Sequence, residues 1–159
     1  MRYTIFILLV FAGIITADAQ RKPVFRYYPV MRVTDGDTFR AADGSAKGMI
    51  IRLIGVDAPE LHSSRNKLKH EFGDEAAHYL EKLIGGKRVR FEYDVDRTDK
   101  YGRTLAYVYL EDGTFVNAKL IANGYANIMT IPPNVKYQEL FLKLERRARR
   151  REAGIWGLE

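Results

Sequence analysis

The sequence predicts an α+β domain in which β-strands dominate, with five strands and three helices around one core. Three observations lead to this prediction. Short runs of β-branched and aromatic residues are separated by Asp-Gly turns, other stretches repeat their apolar residues at helical spacing, and 47% of the 159 residues are hydrophobic. This length and composition suit a single packed domain, so no second core is expected.

The first three predicted strands form a meander. They cover residues 27–33, 38–42 and 47–56. Asp35-Gly36 and Asp43-Gly44 lie between them, and this dipeptide favours the tight turns that join antiparallel neighbours. We therefore expect the three strands to pair in sequence order.

A helix is predicted over residues 74–84, because apolar side chains recur there every three or four positions. Those residues are Ala76, Tyr79, Leu80, Leu83 and Ile84. Asp74 is a good N-terminal cap, and Gly85-Gly86 ends the pattern. The helix therefore follows the third strand.

Two further strands and two further helices complete the domain. The strands cover residues 89–95 and 105–110, alternate in polarity and should be antiparallel, and a short helix over residues 116–123 ends before Gly124. One face of the last helix is marked by Tyr137, Leu140, Phe141, Leu144 and Ala148. Five strands with a helix after the third are compatible with a Greek-key barrel of the oligonucleotide/oligosaccharide-binding (OB) type, although periodicity leaves the strand order open.

The first nineteen residues have the pattern of a secretory signal peptide. Arg2 precedes an apolar run over residues 5–15, and residues 17–19 supply small side chains around a cleavage point before Gln20. A membrane anchor is the alternative, but the run is shorter than the roughly 20 residues that a spanning helix needs. The expected division is a signal peptide over residues 1–19, a short tail over residues 20–26 and the domain over residues 27–159. The mature protein would then be secreted or periplasmic, without stable membrane association.

The net charge and the absence of cysteine restrict the partners and the stabilising chemistry. The formal net charge is +6, which favours a polyanionic partner, although charge alone does not separate nucleic acid from other polyanions. Without cysteine, packing must stabilise the fold in place of disulfides. His62, His70 and His78 match no metal-binding spacing, so no zinc site is expected and they are assigned no role. We expect a monomer.

Two carboxylates flank Gly36 in the first of three segments that could carry chemistry. If the backbone is extended there, Asp35 and Asp37 leave the chain from the same face and could share one cation. The alternative is that Asp35-Gly36 is only a hairpin turn.

The second segment combines an arginine with two carboxylates. Pro59 ends the third strand, so Asp57 and Glu60 lie at a strand-to-loop transition, where carboxylates are exposed. A solvated acidic loop is the alternative. Arg52 lies between apolar neighbours of the strand, and a positive charge in that setting implies a phosphate or carboxylate partner.

The third segment places Lys100 and Arg103 around Tyr101-Gly102. Glycine permits a tight turn and the guanidinium can donate two parallel hydrogen bonds to phosphate oxygens, although the segment alone could be a polar hairpin. Together the three segments supply oxygen ligands for a hard cation and positive charge for a phosphate, which indicates phosphodiester chemistry. Ca²⁺ is preferred because it accepts carboxylates and carbonyls in loose geometry, with Mg²⁺ or Mn²⁺ as alternatives.

The basic run over residues 146–151 has two interpretations. It could extend a nucleic-acid track, but its position on an amphipathic helix favours a solvated face paired with Glu139, Glu145 and Glu152.

Three motifs resemble those of the staphylococcal nuclease family, also called micrococcal nuclease or thermonuclease. VTDGDTF, RLIGVDAPE and RTDKYGRTLAYVY occur in that family's order and with similar spacing, and the likeness extends from Val30 to Trp156. The resemblance implies a five-stranded OB barrel with three helices. It also implies a Ca²⁺-dependent endonuclease that cleaves DNA and RNA and leaves 3′-phosphate ends.

The resemblance implies a role for each matching acidic residue. Asp37 and Asp57 would bind Ca²⁺ together with the backbone carbonyl of Ala58, and Asp35 would act through a bound water. Glu60 would be the general base that activates the attacking water.

The resemblance also assigns the cationic residues. Arg52 and Arg103 would hold the phosphate and stabilise the transition state, whereas Lys100 and Tyr101 would contact the phosphate of a neighbouring nucleotide. The chain departs from the family over residues 127–133, which lack the tyrosines of the family's nucleotide pocket. The loop over residues 61–72 also differs.

Two rival functions use the same barrel without catalysis. A nucleic-acid-binding OB module has no physical reason to keep the catalytic set, and an oligosaccharide-binding barrel has no use for two phosphate-binding arginines. That set is Asp37, Arg52, Asp57, Glu60 and Arg103. The sequence therefore favours the enzyme.

Overall fold

A computed structural model describes residues 24–59 and 67–157. The predicted signal peptide, most of the predicted tail, Glu60 and His62 lie outside these ranges. Within them, no helix combines the length and the apolar character that crossing a membrane requires.

The described ranges contain seven strands and three helices. The strands are β1 (Tyr28–Asp35), β2 (Thr38–Ala41), β3 (Met49–Leu53), β4 (Gly55–Asp57), β5 (Arg88–Glu92), β6 (Thr104–Leu110) and β7 (Asn127–Met129). The helices are α1 (Lys67–Ile84), α2 (Val116–Ala122) and α3 (Gln138–Arg150), and a 3₁₀ turn over Gly154–Gly157 follows α3.

Five strands close a barrel in the order β1-β2-β3-β6-β5. β1, β2 and β3 pair antiparallel as the predicted meander, and β5 pairs antiparallel with both β6 and β1. The barrel is closed by a parallel pairing of β3 with β6. The predicted five-stranded OB barrel with three helices is confirmed, and the parallel pair supplies the strand order that periodicity left open.

One hydrophobic cluster joins the barrel to all three helices. Its fully buried members include Phe39, Ile51 and Leu53 from the meander, Ala76, Leu80 and Ile84 from α1, Leu120 and Ile121 from α2, and Phe141 from α3. The strands and helices therefore share a single core, as the composition predicted.

Helix α1 begins at Lys67, so the predicted start at Asp74 is wrong. Asp74 lies inside the helix, where its carbonyl oxygen is 3.0 Å from Nδ1 of the exposed His78. The buried Phe72 continues the apolar row of Ala76 and Leu80 in steps of four residues toward the N-terminus. Tertiary packing along this row extends the helix past the point where Gly73-Asp74 would end it locally.

The third predicted strand, residues 47–56, is divided into β3 and β4 by a turn at Ile54. Gly55 has a φ of +75°, which redirects the chain, and a Cβ atom there would lie 2.6 Å from the Phe141 ring. β4 then pairs with β7, outside the barrel. The sequence did not predict β7, since three residues are too few for a periodic pattern.

The remaining predicted elements differ from the observed ones only at their ends. β1 extends two residues beyond the predicted end to Asp35, and β5 ends at Glu92 rather than at residue 95. The segment before β1 also contacts the barrel, since the ring of Phe25 lies 4.4 Å from the guanidinium of Arg90.

Basic residues at the end of α3 and directly after it have varied surroundings. Arg149 pairs with Glu145 at 3.5 Å and lies 3.8 Å above the ring of Trp156, and Arg151 donates a hydrogen bond to the carbonyl of Ala122. The interpretation as a solvated face gains one of its three expected acidic partners, Glu145.

Candidate active site

The first acidic segment is a hairpin turn. Asp35 ends β1 and pairs with Thr38 at the start of β2, which leaves Gly36-Asp37 as a two-residue loop. The extended backbone that would direct both carboxylates to one face is therefore not observed. The carboxylates nevertheless lie close together, because Oδ1 of Asp35 accepts the amide of Asp37 at 3.2 Å.

Gly36 allows this hairpin to pack tightly against its neighbours. A Cβ atom at this position would lie 2.6 Å from Cβ of Ala58 and 2.7 Å from Cβ of Ala76. Ala58 directly follows β4, and Ala76 belongs to α1. Three small residues thus bring the hairpin, the end of β4 and α1 into contact.

Asp37 is a buried carboxylate with three partners. Its Oδ2 accepts the amide of Ala58 at 3.0 Å and lies 3.0 Å from Nη2 of Arg52, while its Oδ1 accepts the hydroxyl of Thr38 at 3.0 Å. Burial raises the pKa of Asp37 to about 7, assisted by the carboxylate of Asp35 and opposed by Arg52 and the Ala58 amide. Desolvation of the charge therefore outweighs the ion pair.

Four contacts hold the guanidinium of Arg52. Its Nη1 donates to the carbonyls of Leu53 at 3.0 Å and Val56 at 2.6 Å, and its Nη2 contacts Asp37 at 3.0 Å and Asp57 at 3.6 Å. The two carbonyls belong to the last residue of β3 and to β4, on either side of the turn, so the change of direction at Ile54 creates part of the binding site for the guanidinium. The expected negative partner of this strand arginine is a pair of carboxylates.

Asp37 and Asp57 meet at one guanidinium nitrogen, and this arrangement suits a shared cation. The side chain of Asp57 is 49% exposed, so the pair is open to solvent on one side. Among the described residues, no three acidic or imidazole side chains converge. The protein would therefore supply two carboxylates, with the Ala58 carbonyl and water as further oxygen ligands. This oxygen-only set fits Ca²⁺.

Arg103 is held by a carboxylate of its own turn. Asp99 accepts the amides of Tyr101 at 2.9 Å and Arg103 at 3.0 Å through Oδ1, and Nε of Arg103 at 2.6 Å through Oδ2. Burial alone would raise the pKa of Asp99, but these hydrogen bonds outweigh it and lower the pKa. The sequence identified Arg103 but not Asp99. The four-residue spacing of opposite charges was the available signal.

The ring of Tyr101 stands at the tip of this turn and is 71% exposed. Nζ of Lys100 lies 5.0 Å and Cζ of Arg103 lies 5.5 Å from its centroid. Both cations therefore surround an aromatic surface that faces solvent.

A cleft of about 430 Å³ brings the predicted phosphate-binding residues together. Arg52 lines it beside the third segment, namely Lys100, Tyr101 and Arg103. Asp37 and Asp57 adjoin the cleft through their shared contact with Arg52. The structure thus brings every described member of the predicted site into one region.

One part of the cleft wall is apolar and includes Met129, Ile131 and Pro132. Asn134, which is buried, fixes this wall to the β5–β6 loop because its amide donates to the Asp96 carbonyl at 2.9 Å and accepts the Asp96 amide at 2.8 Å. The sequence shows that residues 127–133 contain no tyrosine, but it gave no reason to single out Asn134. Its partner lies 38 residues away, so no local pattern indicates the pair.

Some predicted residues have no described surroundings. Glu60 lies outside the described ranges, one position after Pro59, and the side chain of His70 is likewise not described. His78 is exposed on α1 and stands apart from the residues that line the cleft.

Comparisons with known proteins agree with these motifs. The family model described as staphylococcal nuclease homologue matches residues 50–157. A thermonuclease of Staphylococcus intermedius is 41% identical over 129 residues, which are 81% of this chain and 75% of that protein. A thermonuclease of Staphylococcus hyicus is 37% identical over 145 residues, or 91% of this chain and 80% of that protein. A prophage-derived endonuclease of Bacillus subtilis is 34% identical over 128 residues, covering 79% of this chain and 42% of that protein.

Proposed function

This chain belongs to the staphylococcal nuclease family, and on that premise we propose that it is a Ca²⁺-dependent endonuclease that hydrolyses phosphodiester bonds of DNA and RNA. Nuclease activity in its relatives supports the general reaction. The observation that carries the proposal is that Arg52 belongs to both parts of the site. It lines the cleft with Arg103 and also contacts both candidate metal-binding carboxylates, Asp37 and Asp57.

The metal-binding group would consist of Asp37, Asp57 and the carbonyl of Ala58, with Asp35 acting through water. When bound, Ca²⁺ supplies positive charge to the phosphate. Unlike a protonated side chain, it cannot lose that charge by giving up a proton. The burial that raises the pKa of Asp37 also makes its ionised form a strongly attracting ligand, because few waters compete for the charge. Mg²⁺ and Mn²⁺ are the alternative ions.

The reaction requires a base, an attacking water and stabilisation of the phosphate. Glu60 would take a proton from water as the water oxygen forms its bond to phosphorus, and the bond to the 5′-oxygen would break. The leaving 5′-oxygen takes a proton from solvent water, Glu60 returns its proton to solvent, and the phosphate stays on the 3′ side. Arg52 and Arg103 would neutralise the charge that accumulates on the phosphate oxygens.

The Glu60→Gln variant tests the assignment of the base. We expect its turnover of single-stranded DNA to fall about 10²-fold or more, the range for loss of a positioned general base. Circular dichroism should show an unchanged fold. Glu75→Gln, an exposed position on α1, is the matched control and should retain activity. Turnover of Glu60→Gln at the wild-type rate would show that another group activates the water.

A chelator experiment separates the enzyme from a non-catalytic binding module. The protein is incubated with DNA and with RNA in Ca²⁺, in Mg²⁺, in Mn²⁺ and in excess chelator. We expect fragments with 3′-phosphate and 5′-hydroxyl ends in Ca²⁺ and intact polymer in chelator. Intact polymer under every condition would remove the enzyme proposal and leave the binding module.

We also propose that the protein is exported and acts as a monomer. The leader pattern over residues 1–19 supports removal of that segment before Gln20. The N-terminal sequence of protein recovered outside the cytoplasm should begin at residue 20, and sedimentation should give the mass of one chain. A retained leader would contradict the proposed export.

A further inference from the structure

A cluster of arginines and tyrosines lies beside the cleft but is not part of the proposed catalytic site. Cζ of Arg97 lies 5.0 Å from the ring centroid of Tyr93, and Cζ of Arg26 lies 4.9 Å from that of Tyr28. We name Arg26, Tyr28, Tyr93 and Arg97 the arginine–tyrosine cluster. Its members come from the segment before β1, from β1 and from the β5–β6 loop.

The two arginine–tyrosine pairs of the cluster interact electrostatically. Burial raises the pKa of Tyr93, the ring of Tyr28 adds to the effect, and both Arg97 and Arg26 oppose it. This electrostatic effect links the Arg97–Tyr93 contact to the Arg26–Tyr28 contact. Tyr28 in turn stacks on Phe91 with a centroid separation of 4.9 Å, which anchors the cluster to the barrel.

The arginines of this cluster keep their charge available. Within the described ranges, neither Arg26 nor Arg97 forms an ion pair with a carboxylate, although the exposed Asp43 interacts with Arg26 at longer range. Contact with a ring orients a guanidinium without neutralising it, so its N–H groups remain free for an anion. This arrangement differs from that of Arg103, whose Nε is bound by Asp99.

The cluster adjoins the cleft through the sequence position of Arg97. Arg97 lies between Asp96 and Thr98, and both of these residues line the cleft. The carbonyl of Arg97 accepts the amide of Leu105 at 2.9 Å, so its backbone is fixed to the start of β6. Arg97 is therefore the member of the cluster that lies nearest to the cleft along the chain.

We propose that the arginine–tyrosine cluster is a second binding surface for a single strand of nucleic acid, which contacts phosphates beyond the nucleotides held in the cleft. The inference rests on the proposed function, because it extends the same substrate. Aromatic rings beside unpaired arginines are a usual surface for single strands, and the arginines here would bind the backbone irrespective of sequence.

Binding in chelator tests this surface without cleavage. Affinity for a fluorescent octanucleotide is measured against salt concentration for the wild type, the double variant Arg26→Gln/Arg97→Gln and the control Arg147→Gln. Each phosphate contact to a single strand contributes about 0.7 to the slope of log affinity against log salt, so the double variant should lose about 1.4. Its affinity at low salt should fall about tenfold. Arg147 is exposed on α3, and its variant should keep the wild-type slope.

Two comparisons separate binding from packing. The loss should be larger for the octanucleotide than for a dinucleotide, which fits within the cleft. Lysine at both positions should restore most of the slope, because it restores the charge. An unchanged slope in the glutamine variant, or lysine variants that behave like glutamine and only lower the melting temperature, would overturn the proposal. Cleavage by the wild type in Ca²⁺ is measured separately, so failure of this surface and failure of the nuclease function are distinguishable.

Discussion

The two arginines of the cleft are held by carboxylates in opposite electrostatic situations. Asp37 is buried beside Arg52, and its pKa is raised to about 7 because desolvation outweighs its partners. Asp99 beside Arg103 has a lowered pKa, because three hydrogen bonds from one turn outweigh its partial burial. The surroundings of Asp37 therefore disfavour its ionised form, whereas those of Asp99 favour it.

The difference reflects how each ion pair is assembled. Arg52 belongs to β3 and contacts a hairpin, a turn and the end of β4, so the whole barrel end must fold before its partners are in place. Arg103 and Asp99 are four residues apart in one loop. A site assembled from distant segments can hold a charge in an unfavourable environment, because the rest of the fold stabilises the site. A local turn has no such support and must be stable by itself. This is consistent with a metal-binding role for Asp37, which gains from an added cation.

We expect the largest difference in stability between the two variants that each lack one arginine of the cleft. Arg52→Gln should lower the free energy of unfolding by about 3 kcal/mol, because it removes the guanidinium that two carbonyls and the buried Asp37 share. Arg103→Gln should lower it by less than about 1 kcal/mol, since that arginine is 31% exposed. Both variants should lose about 10²-fold or more in turnover. Urea denaturation in chelator measures the free energies of unfolding. Equal losses in the two variants would show that the two arginines contribute to stability in the same way.

A smaller and opposite effect is expected for Asp37→Asn. A folded pKa above the unfolded value means that Asp37 adds stability below about pH 4, which is progressively lost as the pH rises toward 7. At pH 8 in chelator, the variant should therefore be more stable than the wild type by about 2 kcal/mol. The gap should shrink at pH 5. A variant that is less stable at pH 8 would show that the ion pair with Arg52 outweighs burial.

The smallest effect is expected for Asp99→Asn. A lowered folded pKa contributes stability above the unfolded value of about 4, and that stability is lost as the pH falls through the folded pKa. At pH 7 the variant should be less stable than the wild type by about 1 kcal/mol. The difference should vanish near pH 2. A difference that persists in acid would mean that the amide hydrogen bonds, rather than the charge, stabilise the turn.

The same contrast explains which features the sequence could predict. The strands and the helical faces follow from periodicity, because each is specified by residues that are neighbours in the chain. Arg103 could be identified within its turn, whereas for Arg52 only a negative partner of unknown position was expected. Asp37 meets it because the hairpin and β4 are brought together by packing around Gly36.

Long-range contacts account for the features that were missed. The early start of α1 depends on the burial of Phe72, and β7 exists because β4 offers it a pairing partner. The buried amide of Asn134 is matched to Asp96 across 38 residues. Phe72 does fit the helical spacing of Ala76 and Leu80, but Gly73-Asp74 obscured it. β7 and Asn134 carry no local signal, because the energy that fixes them comes from segments far along the chain.

The parallel pairing of β3 with β6 has a consequence for the timing of activity. Arg52 pairs in register with Leu105, two residues after Arg103, so the two arginines share one cleft only once the barrel has closed. A chain that is still emerging from the ribosome has β3 without β6, so it lacks the cleft in which the two arginines meet. Any activity that needs both arginines must therefore wait for the whole barrel, because neither segment alone assembles the cleft.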